Sequence, residues 1–148
     1  MAIFVVNEWL WADLSGANDL LGQRRAFRFI QRFPSTQHQI VVIEASAFDQ
    51  KAWALCKSNN PIVQRMAAVY VTAVRQDQDR CLILAAGSVN PLPLELAAVI
   101  KPDDRYLVEA QLSVPESILV TTDNPLREVL GQAGIKSISR EEFLETYL

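Results

Sequence analysis

The apolar residues of this chain come in short runs separated by polar, proline-marked breaks. Ile3-Phe4-Val5-Val6, Ile40-Val41-Val42-Ile43, Cys81-Leu82-Ile83-Leu84 and Ser117 to Thr121 are blocks without a clean polar alternation. Such blocks predict strands buried on both faces, as in a parallel sheet covered by helices. Between them the period lengthens. Leu20 to Arg32 predicts a helix with Leu20, Leu21, Phe27, Ile30 and Phe33 as its apolar positions, ended by Pro34. Arg24, Arg25, Arg28 and Arg32 fall on or beside its other face. Ser46 and Asp49 have capping-box spacing, so a helix runs from there to about Lys57. Pro61 starts another, with Ile62, Met66, Val69 and Ala73 at helical spacing, and Arg75 to Arg80 reads as a helix end and a loop. Leu94 to Val99 is a short helix, and Pro102 opens a longer one through Leu112. Pro125 to Gln132 is a helix closed near Gly134, Ile135 to Ile138 a short fifth strand, and Ser139 with Glu142 caps a last helix to Tyr147. No linker or repeat interrupts the alternation. The pattern predicts a single domain over residues 1–148, of α/β class. It is a three-layer α/β/α arrangement with a central, mostly parallel sheet of four to five strands.

Composition narrows the function classes. The chain has 148 residues, half of them hydrophobic, enough for one sizeable core. A formal net charge of −3 argues against a coat protein for nucleic acid, which would be basic. Cys56 and Cys81 match no zinc spacing and are too few for a disulfide framework, which points to a reducing compartment. His38 is the only histidine, so neither a histidine-rich metal site nor a Ser-His-acid triad has support. With five glycines, none suitably paired, there is no phosphate-cradling loop. Met1 to Val6 reads as a strand and not a signal peptide, and no apolar run is long enough to span a bilayer. The expected location is cytoplasmic.

The candidate chemistry lies where strands end. Ile118-Leu119-Val120 runs into Thr121, Thr122 and Asp123, with Pro125 opening a helix behind them. This delivers a carboxylate to the carboxyl edge of the sheet, where open α/β sheets bind ligands. Asn124 is the better-placed helix cap, which leaves Asp123 free for function, with Thr121 and Thr122 as hydrogen-bond donors to it or to a phosphate. Asp103 and Asp104 both fall in the first turn of their helix, where acids complement the helix dipole. Asp104 leans toward the core side, whereas Asp103 is solvated. Asp49 has a plain role in its capping box. Asn7 and Glu8 follow the first strand directly, as a site or as a simple exit from the sheet. Trp9, Trp11 and Trp53 are read as core residues rather than base-stacking platforms, and the four arginines as a solvated face or a polyanion-steering patch.

Asp104-x-x-Leu107-x-x-Ala110, then Ile118 to Asp123, then Gly134-Ile135-Lys136 and Glu142-Phe143-Leu144 resemble the C-terminal half of PIN domains, closest to their bacterial toxin-like branch. The resemblance covers roughly residues 101–148. It implies a Mg²⁺ or Mn²⁺ ion held by acids at the carboxyl edge of the sheet, with Asp104 and Asp123 as the two C-terminal acids. Asp49 would stand in for a helix glutamate. The family's opening Asp-Thr-Asn is replaced by Asn7-Glu8-Trp9, so Asn7 offers one neutral oxygen, and Glu8 restores the charge only if the backbone turns it inward. The resemblance therefore implies a metal-dependent ribonuclease cleaving single-stranded RNA, and its toxin-like branch implies the toxin of a toxin–antitoxin pair. In it Asp49, Asp104 and Asp123 are catalytic, those three with Glu8 ligate the metal, and Asn7, Thr121 and Thr122 bind. The alternative is a PIN-like domain without catalysis that binds RNA or protein. Expected partners are RNA as a transient substrate, an antitoxin protein and a second copy of the chain, with no membrane. A nucleotide-binding domain of another family is a third reading, weakened by the missing glycine loop.

Overall fold

The computed structural model describes all 148 residues as an α/β fold with a five-stranded, wholly parallel sheet. The elements are β1 (Ile3–Val6), α1 (Trp9–Leu14), α2 (Leu20–Arg32), β2 (Gln39–Ile43), α3 (Ala47–Leu55), α4 (Pro61–Tyr70), β3 (Cys81–Leu84), α5 (Leu94–Ala97), α6 (Arg105–Ser113), β4 (Ile118–Val120), α7 (Asn124–Gln132), β5 (Ser137–Ile138) and α8 (Arg140–Tyr147). The strand order is β3-β2-β1-β4-β5. No helix is long and apolar enough to cross a membrane.

Two cores explain why the strands read as unbroken apolar runs. Successive residues of a strand point to opposite faces, and in β1, β2 and β4 both faces are covered. The edge strand β3 departs from the expectation, because only Cys81 is buried and Leu82 and Ile83 are exposed. Phe4, Val6, Ile40, Val42, Ile118 and Val120 pack under α1 to α4 and α8. Ile3, Val5, Val41, Ile43 and Leu119 pack under α6 and α7. Right-handed crossovers account for that division. The chain moves from β1 through β2 to β3 in one direction, with its helices on one face. It then returns to β4 and continues to β5 in the other direction, with α6 and α7 on the opposite face. The reversal places the topological switch point between β1 and β4, which pair from Phe4↔Ile118 to Val6↔Val120. That crevice is where such sheets bind ligands.

Several local expectations are corrected. A six-residue helix, α1, follows β1 where the sequence showed no separate element. Leu20 and Leu21 are exposed on α2, whose buried stripe is Gly22, Ala26, Phe29 and Ile30. Trp9 and Trp11 are core residues as expected, but Trp53 is 42% exposed.

Asp13 was not foreseen at all. It is fully buried at the meeting point of α1, α2 and α8. Its carboxylate accepts from Asn18 Nδ2 (2.6 Å) and from Arg140 Nη1 (3.0 Å). Gly22 lets α2 approach it: a Cβ there would stand 2.7 Å from Asp13 Oδ1. Gly22→Ala is therefore expected to destabilise the fold by about 1–3 kcal/mol despite alanine's better helix propensity. Urea unfolding measures this, and a neutral or stabilised variant would show that Asp13 yields at no cost.

Candidate functional site at the carboxyl edge

Asn7 and Thr121 close the switch point. The Asn7 backbone N–H donates to the Val120 carbonyl (3.0 Å), extending the β1–β4 ladder by one residue. Its side-chain Nδ2 donates to Thr121 Oγ1 (3.0 Å), and its Oδ1 accepts from the Glu8 N–H (2.6 Å). The Asn7 side-chain oxygen, a candidate for the site, is thus turned onto the backbone. Thr121 is fully buried, and its Oγ1 also accepts from the Asp123 N–H (3.1 Å). It accepts from its neighbours where donation to a ligand was expected, and it fixes the turn that carries Asp123. Thr122 is exposed.

Glu8 is half-buried and points between two other elements. Lys51 Nζ of α3 lies 2.5 Å from its Oε1, and the Tyr106 hydroxyl of α6 donates to its Oε2 (3.0 Å). Burial and then the Glu8 charge hold the Tyr106 phenol protonated far above its ordinary range.

Asp104 and Asp123 come together. They line one small cavity of about 70 Å³ with Ile100, Lys101 and Leu126. Two guanidinium bonds brace the approach to Asp104: Arg105 donates to the carbonyls of Ala97 (2.8 Å) and Ile100 (3.3 Å). Asp104 stands at the junction of a short 3₁₀ turn and α6, where its side chain caps nothing. Burial, and next the negative charge of Asp123, push its carboxyl above the usual carboxylate range. Lys101 opposes that shift, and Asp103 and Glu8 add to it. Asp123, and not Asn124, caps α7, its Oδ1 accepting from the Leu126 N–H (3.0 Å). The helix begins at Asn124 with Pro125 inside its first turn, one residue earlier than expected.

Asp49 is committed elsewhere. It is 3% exposed, and Arg75 grips both its oxygens, Nε to Oδ1 at 2.7 Å and Nη2 to Oδ2 at 3.1 Å. The Ala45 N–H also donates to Oδ2 (3.0 Å), holding Ala45 in a left-handed conformation (φ 64°) that a β-carbon disfavours. Arg75 ends a π-helical turn that continues α4 (Val71–Arg75), in a stretch read from sequence as a plain helix end. A carboxylate neutralised in this way adds little to a shared cation site. Of the capping box only half forms: Ser46 Oγ accepts from the Asp49 N–H, while the Asp49 carboxylate turns to Ala45 and Arg75.

The four acids therefore do not form one cluster, and no three acidic, histidine or cysteine side chains stand together as a metal cage. The pair Asp104–Asp123 still fits a hard divalent cation. Magnesium typically takes one or two protein carboxylates and completes its shell with water and substrate phosphate. A cation between these two would also relieve the repulsion that raises Asp104.

Beside the pair, across Asn7, Glu8 and Thr122, a cleft of about 650 Å³ opens between α1 and α3. Its floor is rigid. Trp9 Nε1 donates to the Val120 carbonyl (3.0 Å) and Trp11 Nε1 to the Phe48 carbonyl (2.9 Å), which pins both indoles. Ser15, Lys51 and Ser58 supply polar groups at its rim. Lys51, Arg75 and Tyr106 all escaped sequence reading, because each acts on a partner far away in the chain. No protein-family model matches the chain, nor does any curated protein.

Proposed function

We propose that the chain is a PIN-like ribonuclease that cuts single-stranded RNA, using Asp104 and Asp123 with Mg²⁺ or Mn²⁺. The observation that carries the proposal is the convergence of these two carboxylates, 19 positions apart in sequence, on one cavity at the carboxyl edge of the sheet. RNA as the substrate comes from the motif resemblance; the cleft supplies room for it. When bound, the cation stabilises charge on a phosphodiester and makes an attacking water more acidic. The protein's own groups orient the strand. Thr122 and Lys51 stand on the cleft wall within reach of a sugar–phosphate, and the pinned indoles of Trp9 and Trp11 keep its floor apolar. Thr121 holds the Asp123 backbone in register with β1 through Asn7.

A second reading has its own support. Arg75 neutralises Asp49 and Lys51 neutralises Glu8, so half of the expected acids are already paired within the chain. A PIN-like module that binds RNA or a protein without cutting needs no more than this. Incubation of a labelled single-stranded RNA with the protein and Mn²⁺ separates the two. The nuclease predicts fragments that EDTA abolishes. RNA that is retained by the protein but left intact over hours decides for the binding module.

A further inference from the structure

The side of the molecule away from the acidic pair carries a feature that the site does not use. Helix α2 reads Leu-Leu-Gly-Gln-Arg-Arg-Ala-Phe-Arg-Phe-Ile-Gln-Arg and contains four arginines and no acid. These are four of the fourteen cationic side chains of a chain that is net negative, so the rest of the surface is distinctly acidic. Arg24, Arg28 and Arg32 recur at i, i+4, i+8, which stacks them on one face at steps of about 6 Å along the axis. All three are exposed, and none has a side-chain carboxylate within 4.0 Å. Arg32 donates only to the Leu148 carbonyl (3.3 Å). The stripe forms one wall of a groove of about 630 Å³ between α2 and α8, with Leu144 and Leu148 in the floor and Glu141 and Glu145 opposite.

We infer that this arginine stripe is a docking track for the sugar–phosphate backbone of single-stranded RNA outside the cleft. The inference rests on the RNA reading above and adds to it where the strand runs. Unpaired cations in a row select a polyanion, and a regular step suits successive phosphates better than scattered carboxylates. A chain of side-chain contacts links the track to the cleft. Arg25 at its upper end lies 3.7 Å from Glu141, Glu141 pairs with Arg140 (2.7 Å), and the Arg140 guanidinium sits 6.0 Å from the ring of Trp9 in the cleft floor. Glu141 is thus shared between two arginines, which softens the repulsion an arriving phosphate meets at that end. A strand leaving the cleft past Trp9 and Arg140 arrives at Arg25 and then at Arg24 and Arg28.

The test is binding, measured in EDTA so that cleavage plays no part. A fluorescein-labelled twenty-nucleotide oligouridine is titrated with the full chain while anisotropy is read at several salt concentrations. The double variant Arg24→Gln/Arg28→Gln should bind ~10-fold more weakly, and the slope of log affinity against log salt should fall by about 1.4, for two lost phosphate contacts. Arg24→Lys/Arg28→Lys should restore most of the affinity and the slope. Because both arginines are solvated, circular dichroism of the variant should match that of the parent. If the parent binds RNA and the glutamine variant binds equally well, the track is refuted while the RNA reading stands. A parent that ignores RNA overturns both. A parent that holds polyglutamate through these arginines and not oligouridine assigns the stripe to an acidic protein instead.

Discussion

Arg75→Ala is expected to lower folding stability by about 3–5 kcal/mol, because it strands a buried charge. Asp49 lies at 3% exposure with two guanidinium bonds and one backbone N–H. Without Arg75 its carboxylate keeps only the Ala45 N–H and no counter-charge. The double variant Asp49→Ala/Arg75→Ala should be less damaged than the single one, since no uncompensated ion then remains. That ordering is what distinguishes a buried pair from a merely well-packed arginine. Urea unfolding of the parent, both single variants and the double variant supplies the cycle. A loss below about 1 kcal/mol for Arg75→Ala would mean that water reaches the pair, as it does for exposed ion pairs. The same experiment bears on function. If Asp49 is structural, Asp49→Asn should harm the fold more than it harms any cation binding at Asp104 and Asp123.

What could be read from the sequence follows from which interactions are local. β1, β2 and β4 were legible because burial on both faces makes a strand an unbroken apolar run, whereas β3 carries the same kind of run yet exposes Leu82 and Ile83 at the sheet edge. The caps Ser46 and Ser139 were legible because a cap and its partner lie three residues apart. Helix α1 was not. Its six residues carry Trp9, Leu10, Trp11 and Leu14 with no side-chain cap, so neither period nor punctuation marks it. Leu20 and Leu21 satisfied a helical apolar pattern, yet α2 buries a stripe rotated away from them, with the small Gly22 and Ala26 at the closest approach. The cap of α7 was missed by one residue, since Asp123 takes the extended conformation that Asn124 could equally have taken. The acid site was half legible. Asp104 and Asp123 each stand where a motif meets an element boundary, and tertiary structure brings them together. The fates of Asp49 and Glu8 were decided by Arg75, Lys51 and Tyr106. Of these, Arg75 and Tyr106 lie 26 and 98 residues from their partners, beyond any spacing rule.

Asp104→Asn is expected to act in opposite directions on activity and on stability. Losing one of two cation-holding carboxylates removes several kcal/mol of transition-state charge stabilisation, so RNA cleavage should fall roughly 10²- to 10³-fold. The fold should gain. Burial and the Asp123 charge raise the carboxyl of Asp104 above its ordinary value of 3.8. A carboxyl whose native pKa exceeds its unfolded one is penalised in the native state at neutral pH. The penalty fades as pH falls through the native pKa toward the unfolded value, where both states are protonated. The amide carries no charge to penalise, so the variant should unfold at higher urea than the parent at pH 7, with the difference shrinking as the pH approaches 4. Added Mn²⁺ should reverse the order at pH 7, because only the parent gains from binding the ion in its native state. A variant that unfolds more easily than the parent at pH 7 without metal would mean that Asp104 is a structural residue in its own right. It would remove the electrostatic conflict on which the two-carboxylate site is built.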